Sequence, residues 1–428
     1  MLKRFAPTPS LPAVNATILF VDGGYSSVAE RRSVAPDVVG STPTSRPKET
    51  FCISTVRLLI SLSPLITMRS ANEAQLLPQP NSLTGERLQS PAWLKEFVPR
   101  RGMRNGDVQT LAANFTPRRV RLPASESIVV EVDPATHSRV LCHCNWQPEE
   151  IRSACMTLLL VHGLEGSSQS QYMLGNADKA WRSGWNVIRM NMRNCANTEL
   201  LSPTLYHSGL SGDVQAVAQY FAAQHRLTQM AWVGYSMGGN LVLKAAGEYG
   251  DRAPTWLRAV VGVSPVVDLA PAADALQHRR NRLYEWNFLR NMMRRYRRKV
   301  KLFPDRFSSA NCKLVRSIRT YDEYILSPHA GFAGADDYYY RSSAARVIDR
   351  ISVRSLILHA QDDPFIRILP ETRAKLVANP HINFVETKHG GHCAFLATAT
   401  STDDGYWAET TLHGLVASVS QLHSRQVR

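Results

Sequence analysis

The stretch that most constrains how this chain can fold is residues 233–240, which read Val-Gly-Tyr-Ser-Met-Gly-Gly-Asn. A short apolar run, residues 230–233, precedes it, and a helix-like run, residues 241–248, follows it. This order predicts a strand, a sharp turn and a helix, with Ser236 at the turn and a glycine on each side of it. A turn of this kind is strained and lifts the serine hydroxyl clear of the sheet edge. Ser236 is therefore the candidate nucleophile.

Apolar runs of strand length alternate with helix-like segments through much of the chain. Strands are predicted at residues 155–161, 184–192, 256–263, 353–360 and 382–386, and a helix at residues 213–224. Short links between such runs favour a mainly parallel sheet that is flanked by helices and joined by right-handed crossovers. Residues 119–133 alternate in polarity and predict an earlier, hairpin-like pair of strands. The expected fold class is therefore α/β.

A second glycine-bearing turn could supply a backbone N–H group that stabilises negative charge formed when the serine attacks. Residues 162–168, His-Gly-Leu-Glu-Gly-Ser-Ser, follow the predicted strand 155–161. In enzymes with a serine elbow, the loop at this place gives one backbone N–H to an oxyanion hole, and the residue after the serine gives the other. The predicted donors are the amides of Leu164 and Met237. The alternative is an ordinary turn between a strand and a helix.

The acid that would orient a histidine is expected where a strand of the sheet ends. Residues 361–365, Gln-Asp-Asp-Pro-Phe, follow the predicted strand 353–360. Asp363 is preferred over Asp362, because the Phe-Ile pair that comes next would pack into the sheet and leave the Asp363 carboxylate facing the cleft. Asp268, just past an earlier strand, is a less favoured alternative.

The general base is expected on the glycine-rich loop after the last predicted strand. Residues 389–393 of this loop read His-Gly-Gly-His-Cys. His392 is the candidate, since an imidazole placed there can reach back toward the serine in the chain order Ser, Asp, His. His389 is its rival. His162 is expected to brace the loop that carries the first oxyanion donor.

The strand and helix alternation stops after the predicted strand 256–263, and residues 266–350 are expected to form a helical cap. Residues 279–306 carry eleven Lys and Arg against two acids, and so supply nine of the chain's +15 formal charges. This segment is interpreted either as a solvated cap helix or as a lid whose arginines contact anionic lipid headgroups. Nucleic acid is not expected, because no recognised binding module accompanies the charge.

Apolar residues within the basic segment recur at helical spacing. They are Leu283, Trp286, Leu289 and Met293. This spacing, set against the arginines of the same segment, predicts an amphipathic helix.

The N-terminal region and the cysteines lead to further expectations. Residues 1–67 are expected to be disordered or to be translated from a start codon placed too early, because residues 40–43 resemble a translated transfer RNA T-arm. Met68 would then be the native start, residues 68–104 a lead-in and residues 105–428 the folded domain. Seven cysteines without a C-x-x-C pair favour reduced thiols and a cytoplasmic protein. Neither a metal nor a cofactor is expected.

Seven short motifs, in order along the chain, carry a family resemblance. They are residues 105–111, 162–168, 206–209, 234–240, 331–332 with 338–340, 362–365 and 390–392. On these motifs the chain resembles the YheT-like branch of the α/β hydrolases, a branch that includes mammalian hydrolase-domain proteins acting on lipid esters. The resemblance implies an α/β-hydrolase fold with a triad of Ser236, Asp363 and His392. One departure is Asn194, which stands where members usually have glycine and could alter the loop near the acyl pocket.

The resemblance also implies ester hydrolysis without a cofactor, with a small-molecule ester as substrate and lipid esters in some members. An acyltransferase or a thioesterase could use the same three side chains. A non-catalytic binding protein is a further alternative, since a fold alone does not determine a function.

Overall fold

The computed structural model of this protein describes residues 91–116, 118–401 and 403–426, with side chains as far as residue 422. The expectations for residues 1–67, and for the part of 68–104 that precedes residue 91, lie outside the described residues.

An eight-stranded sheet forms the centre of the described residues. Its strands are β1 (Glu126–Asp133), β2 (Ser138–Asn145), β3 (Thr157–Val161), β4 (Asn186–Met190), β5 (Met230–Tyr235), β6 (Leu257–Val263), β7 (Ser355–Ala360) and β8 (Ile382–Thr387). Their order in the sheet is β1-β2-β4-β3-β5-β6-β7-β8. The strands from β4 to β8 in this order pair in parallel, while β2 pairs antiparallel with both β1 and β4. The predicted α/β class with a mainly parallel sheet is confirmed.

Helices pack on both faces of this sheet. Those of eight or more residues are α1 (Gly106–Phe115), α2 (Gln171–Arg182), α3 (Ser211–Gln224), α4 (Met237–Tyr249), α5 (Leu269–Gln277), α6 (Arg282–Leu302), α7 (Ala335–Ser342), α8 (Pro370–Ala378) and α9 (Trp407–Gln426). Shorter helical turns are Glu149–Arg152, Glu199–Leu201, Gly250–Arg252, Arg279–Asn281, Ala310–Leu314, Ile318–Tyr321, Asp322–Leu326, Ser327–Ala330, Ala344–Arg346 and Ile348–Arg350. None of the helices described here combines the length and the apolar character needed to cross a membrane.

Strand β5 illustrates why the centre of the sheet is buried on both sides. Met230 and Trp232 belong to one hydrophobic core, whereas Ala231, Val233 and Tyr235 belong to the other. Alternate side chains of a strand point to opposite faces, and every residue of β5 is buried. Helices α3 and α4 contribute to the first core, and α2 and α9 to the second. A short unbroken apolar run is the pattern typical of such a strand.

The first hairpin lies later in the chain than the sequence predicts. Alternation predicts a pair of strands within residues 119–133, but β1 pairs with β2 across residues 134–137. Residues 118–125 belong to no strand. The Arg121 amide instead donates a hydrogen bond to the Asp178 carboxylate at 2.9 Å. Alternation indicates which side chains are buried, but it does not identify the partner of the backbone.

Residues 266–350, called the cap, lie in the chain between β6 and β7 and contain α5, α6 and α7. Helix α6, with 21 residues, carries most of the basic segment. The four apolar residues that predicted its amphipathic character do not share one environment. Met293 is buried, whereas Leu283 is 64% and Trp286 is 58% exposed. The apolar residues in the first turns of the helix are therefore exposed, whereas Met293 belongs to the core.

Candidate active site

The turn between β5 and α4 holds Ser236 in a strained backbone conformation. Its φ and ψ angles are 54° and −117°, a combination that residues with a side chain seldom adopt. Glycine is needed on both sides because of close backbone contacts. A Cβ at Gly234 would lie 2.1 Å from the carbonyl oxygen of Gly238, and one at Gly238 would lie 2.3 Å from the carbonyl oxygen of Val161. The strand, turn and helix expected from the sequence are thus present.

Asp363 and His392 form a hydrogen-bonded pair, with 2.8 Å between Oδ2 and Nδ1. The other oxygen of Asp363 accepts hydrogen bonds from the amides of Phe365 at 3.1 Å and Ile366 at 2.9 Å. Burial raises the pKa of Asp363, but His392 and the Ile366 amide outweigh it and keep this pKa below its ordinary value. Burial acts to lower the pKa of His392, but the Cys393 side chain and the Asp363 carboxylate raise it above its ordinary 6.5.

The alternative acids and the alternative base have other partners. Asp362 accepts a hydrogen bond from the Gly391 amide at 2.8 Å, and its second oxygen lies 3.5 Å from Nδ1 of His389. Asp268 accepts a hydrogen bond from the Leu369 amide at 2.9 Å, at the start of α8. The geometry therefore favours Asp363 over both alternatives as the partner of the loop histidine.

The serine turn and the histidine loop meet where β6 ends. The carbonyl oxygen of Val263 accepts a hydrogen bond from the Ser236 amide at 2.9 Å and lies 3.6 Å from the Cys393 sulfur. The Cys393 amide donates to the Ser264 hydroxyl at 3.0 Å. The structure thus brings the residue next to His392 to the same strand end as Ser236.

The loop after β3 approaches the serine closely. A Cβ at Gly163 would lie 3.1 Å from Cβ of Ser236, and the Gly163 amide already donates to the Tyr172 hydroxyl at 2.9 Å. Among the described residues, no protein acceptor is found for the amides of Leu164 or Met237. Both amides therefore remain candidates for binding an oxyanion beside Ser236.

His162 connects this loop to the loop after β4. Its Nδ1 lies 2.8 Å from the Gly163 carbonyl oxygen, and its Nε2 accepts a hydrogen bond from the Met192 amide at 3.1 Å. Burial lowers the pKa of His162 to about 4, so the ring is neutral, and its protonated Nδ1 donates a hydrogen bond to the Gly163 carbonyl oxygen. This arrangement agrees with the bracing role expected from the sequence.

A buried ion pair joins the same loop to the cap. Glu165 accepts a hydrogen bond from the Tyr206 hydroxyl at 2.6 Å, and its other oxygen lies 3.0 Å from the Arg295 guanidinium. Arg295, on α6, also contacts the Cys195 sulfur at 2.9 Å. The sequence alone predicted no role for Glu165 or Arg295. Its only signal was an acid inside the glycine-bearing turn and an excess of arginine 130 residues later.

Other basic residues of α6 also turn inward. Arg298 donates to the Glu199 carboxylate at 2.6 Å. Lys299 is fully buried, bonds the Glu199 carbonyl oxygen at 3.2 Å, and has its pKa lowered by burial to about 8. Neither interpretation of the basic segment anticipated that Arg295, Arg298 and Lys299 would hold the cap onto the loops around the site.

Helix α1 packs against the histidine loop and accepts hydrogen bonds from its backbone amides. The Thr110 hydroxyl oxygen accepts a hydrogen bond from the His392 amide at 2.8 Å, and the fully buried Gln109 accepts one from the Leu396 amide at 2.8 Å. From the sequence, residues 105–111 counted only toward a family resemblance, so this role was missed. The usable signal was a polar pair inside a helix, since a buried polar side chain requires a partner.

Ser236 and Met237 line a pocket between the sheet edge and the cap. Most of its other walls are apolar, and they include Leu269, Leu276, Phe288, Met292 and Phe365. The Phe365 ring also lies 4.3 Å from the ring of His392, measured between centroids. The pocket thus places an apolar cavity next to the serine and one wall residue against the histidine.

Two titratable groups in the pocket wall are held toward their neutral forms. Burial lowers the pKa of His207 to about 3, and its Nδ1 accepts a hydrogen bond from the Gly209 amide at 3.1 Å. Burial raises the pKa of Asp322 to about 7, and this carboxyl accepts a hydrogen bond from the Tyr339 hydroxyl at 2.8 Å. These two side chains therefore add little fixed charge to the pocket wall. Within the described residues, no group of three or more His, Cys, Asp or Glu is arranged to hold a metal ion.

Asn194 adopts the backbone conformation that a glycine would adopt at this position. Its φ is 65°, in the left-handed region that asparagine enters more readily than most residues. The side-chain amide donates to the Thr204 carbonyl oxygen at 2.7 Å. A backbone conformation of this kind is open to glycine and, less readily, to asparagine.

A model of the alpha/beta hydrolase fold matches residues 157–398, which is more than half of the 428 residues of this chain. The chain belongs to the α/β hydrolase family. This α/β hydrolase is 29% identical over 328 residues to the putative esterase YheT of Escherichia coli K12, a match that covers 74% of this chain and 92% of that one. The expected resemblance and fold are confirmed.

Two further relatives of this α/β hydrolase have names that refer to lipids. It is 28% identical over 246 residues to the phospholipase ABHD3 of Mus musculus, covering 56% of this chain and 58% of that one. It is 25% identical over 244 residues to a monoacylglycerol lipase of Saccharomyces cerevisiae, covering 55% and 54%. The match spans little more than half the length of these two relatives. Among solved structures, the esterase Pf2001 of Pyrococcus furiosus is similar with a TM-score of 0.44 and 13% identity, covering 72% of this chain and 98% of that one.

Proposed function

We propose that this α/β hydrolase cleaves carboxylic esters through an acyl-enzyme intermediate on Ser236. The observation that carries the proposal is the 2.8 Å hydrogen bond between Asp363 and His392, because the loop of His392 meets the turn of Ser236 at the end of β6. A nucleophile, a base and a group that orients the base form the set that acyl transfer requires.

Each step of the proposed reaction uses a group whose surroundings suit its task. The Asp363 carboxylate accepts a hydrogen bond from the protonated Nδ1 of His392, which leaves Nε2 as the basic nitrogen. Nε2 takes the Ser236 proton as the hydroxyl oxygen attacks the ester carbonyl, and it then protonates the leaving alcohol. The amides of Leu164 and Met237 stabilise the oxyanion, and removing one such donor typically costs about 2.7–4 kcal/mol. Water then releases the acid by the same steps.

The substrate class follows from the pocket and the relatives. An apolar wall formed by residues such as Phe288 and Met292 favours an acyl chain over a charged group. The names of the mouse phospholipase and the yeast monoacylglycerol lipase point in the same direction. A lipid ester is therefore the proposed substrate.

The proposed location is the cytoplasm, because the cysteines of the described residues are free thiols.

Acyl transfer to an alcohol is a second candidate. One relative, 26% identical over 292 residues, is the medium-chain fatty acid ethyl ester synthase/esterase 2 of Saccharomyces cerevisiae. The same acyl-enzyme would react with an alcohol in place of water. Product analysis with added ethanol distinguishes the two, because transfer yields an ethyl ester and hydrolysis yields only the free acid.

The test of the proposed function combines labelling with turnover. The purified full chain should react with a fluorophosphonate at Ser236, located by peptide mass spectrometry. It should also hydrolyse p-nitrophenyl esters in a series from acetyl to palmitoyl, which measures the preferred chain length. A chain that is folded yet neither labelled nor active on any of these esters would contradict the proposal and favour a binding protein.

The pH dependence of kcat/KM should show an acidic limb above pH 6.5. His392 must be neutral to accept the serine proton, so activity is lost as pH falls through its pKa. Because Asp363 and Cys393 hold that pKa above the ordinary 6.5, the limb shifts upward and not downward. Initial rates on a soluble ester from about pH 5 to pH 9 measure it. A limb centred at or below pH 6.5 would contradict the raised pKa.

Thr110→Val is expected to lower kcat by about tenfold, which corresponds to the loss of one hydrogen bond. Valine keeps the shape of the side chain but leaves the His392 amide without its acceptor. Thr110→Ser keeps the hydroxyl and should restore kcat. Steady-state kinetics on a soluble ester measure kcat of both variants. A cooperative thermal unfolding transition like that of the wild type shows that both variants fold. Equal activity of the valine variant and the wild type would exclude a positioning role for Thr110.

A further inference from the structure

The outer side of α6 carries a stripe of exposed basic and apolar residues. It consists of Leu283, Trp286, Asn287, Arg290, Arg294, Arg297 and Lys301, all of them exposed. At about 100° per residue, these seven positions fall within an arc of roughly 100° around the helix axis. The apolar residues lie at the N-terminal end of the stripe and the cations follow. The Arg290 guanidinium lies over the Trp286 ring at 4.7 Å.

The opposite side of the same helix faces the protein. Phe288 and Met292 line the pocket that contains Ser236, while Arg295 and Lys299 make the inward contacts described above. These four positions lie roughly half a turn away from the stripe. Helix α6 therefore separates the pocket from the outer surface and presents a different chemistry on each side.

Few acidic side chains lie close enough to neutralise the positive charge of the stripe. Glu285 is the one acid among residues 282–302, and its carboxylate accepts a hydrogen bond from the Ile318 amide and does not join the stripe. The inward cations have acidic partners in Glu165 and Glu199. Among the ion pairs of the described residues, none includes Arg290, Arg294, Arg297 or Lys301.

We propose that this stripe binds the surface of a bilayer that contains anionic phospholipid. Arginines and a lysine on one side of a helix match the negative headgroups. An exposed tryptophan and leucine on the same side fit the boundary between headgroups and acyl chains. A nucleic acid would match the cations but would give Leu283 no partner, so the lipid surface accounts for more of the stripe. The proposal goes beyond ester hydrolysis and does not depend on it.

Sedimentation with vesicles tests the proposal on the full chain. Binding is expected to phosphatidylcholine vesicles that contain phosphatidylglycerol, to weaken with added salt, and to be slight with phosphatidylcholine alone. The combined variant Arg290→Gln, Arg294→Gln, Arg297→Gln should lower the partition coefficient on the order of 100-fold, at about fivefold per cation. Leu283→Ser with Trp286→Ser should lower it by about tenfold.

A matched control changes the net charge equally at other exposed arginines. Arg101→Gln, Arg139→Gln, Arg354→Gln lies outside the cap and should change vesicle binding by less than about threefold. The thermal unfolding curve should be unchanged in all three combined variants, which shows that they fold. Ser236→Ala should bind vesicles as the wild type does, so failure of the hydrolase proposal would leave this result intact.

Three outcomes would overturn the proposal. One is equal binding to neutral and anionic vesicles, and another is an equal loss in the control variant. The third is binding that depends on the arginines but not on Leu283 and Trp286, together with comparable affinity for a random DNA duplex. That result would assign the stripe to nucleic acid.

Discussion

Ser236→Ala is expected to lower kcat on p-nitrophenyl esters on the order of 10⁵–10⁶-fold, as removal of a triad nucleophile does in other serine enzymes. Alanine lacks the hydroxyl that attacks the carbonyl, and the oxyanion amides alone retain only a small part of the rate enhancement. Serine and alanine share a Cβ, so the strain at φ 54° is the same in both. The variant should therefore fold and melt as the wild type does.

The measurement is single-turnover and steady-state hydrolysis, with fluorophosphonate labelling of the same samples. Labelling should disappear together with activity. Ser309→Ala, at an exposed serine in the cap, is the matched control and should keep both. If Ser236→Ala kept more than about 1% of wild-type kcat, the assignment of the nucleophile would be wrong.

Asp363→Asn is expected to lower kcat by about 10⁴-fold. An amide at this position can donate a hydrogen bond to Nδ1 of His392, which stabilises the tautomer that carries its proton on Nε2. That nitrogen could then no longer accept the serine proton. The side chain keeps its size, and its remaining oxygen can still accept from the Phe365 and Ile366 amides, so the fold should be retained.

Asp362→Asn is the neighbouring control and decides between the two acids. Its oxygen can still accept the hydrogen bond of the Gly391 amide, and no tautomer of His392 depends on it. Its kcat should stay within about tenfold of the wild type. Circular dichroism and the same ester assay measure both variants. A larger loss in Asp362→Asn than in Asp363→Asn would transfer the role of the acid to Asp362.

Features carried by short stretches of sequence were accessible without the structure. The parallel sheet follows from buried apolar runs such as β3 and β5, because burial on both faces imposes an unbroken apolar pattern. The serine turn follows from Gly234 and Gly238, which meet neighbouring backbone so closely that no other residue fits. The candidates Asp363 and His392 follow from their places after two strands of such a sheet.

Features that depend on distant partners were not accessible. Thr110 and Gln109 are ordinary helix residues until the loop at His392 packs on them, 282 residues later. The misplaced hairpin has a similar cause, since Val120 and Leu122 show the alternation of a strand, but the nearby Arg121 amide finds a side-chain partner on α2. Likewise, the sequence reveals the number of cations on α6, but not which of them meet buried acids.

The pair of Glu165 and Arg295 limits how a substrate can reach the serine. If α6 swung outward as a rigid body, the ion pair of Arg295 with Glu165 and the hydrogen bond of Arg298 with Glu199 would both have to break. The same swing would remove one of the contacts that hold the loop with the proposed Leu164 donor, beside those of His162 and Tyr172. We therefore expect substrates to thread in past side chains at the rim while the helix stays in place. The conformation that lets the substrate enter would then be the same conformation in which the catalytic groups are positioned for reaction.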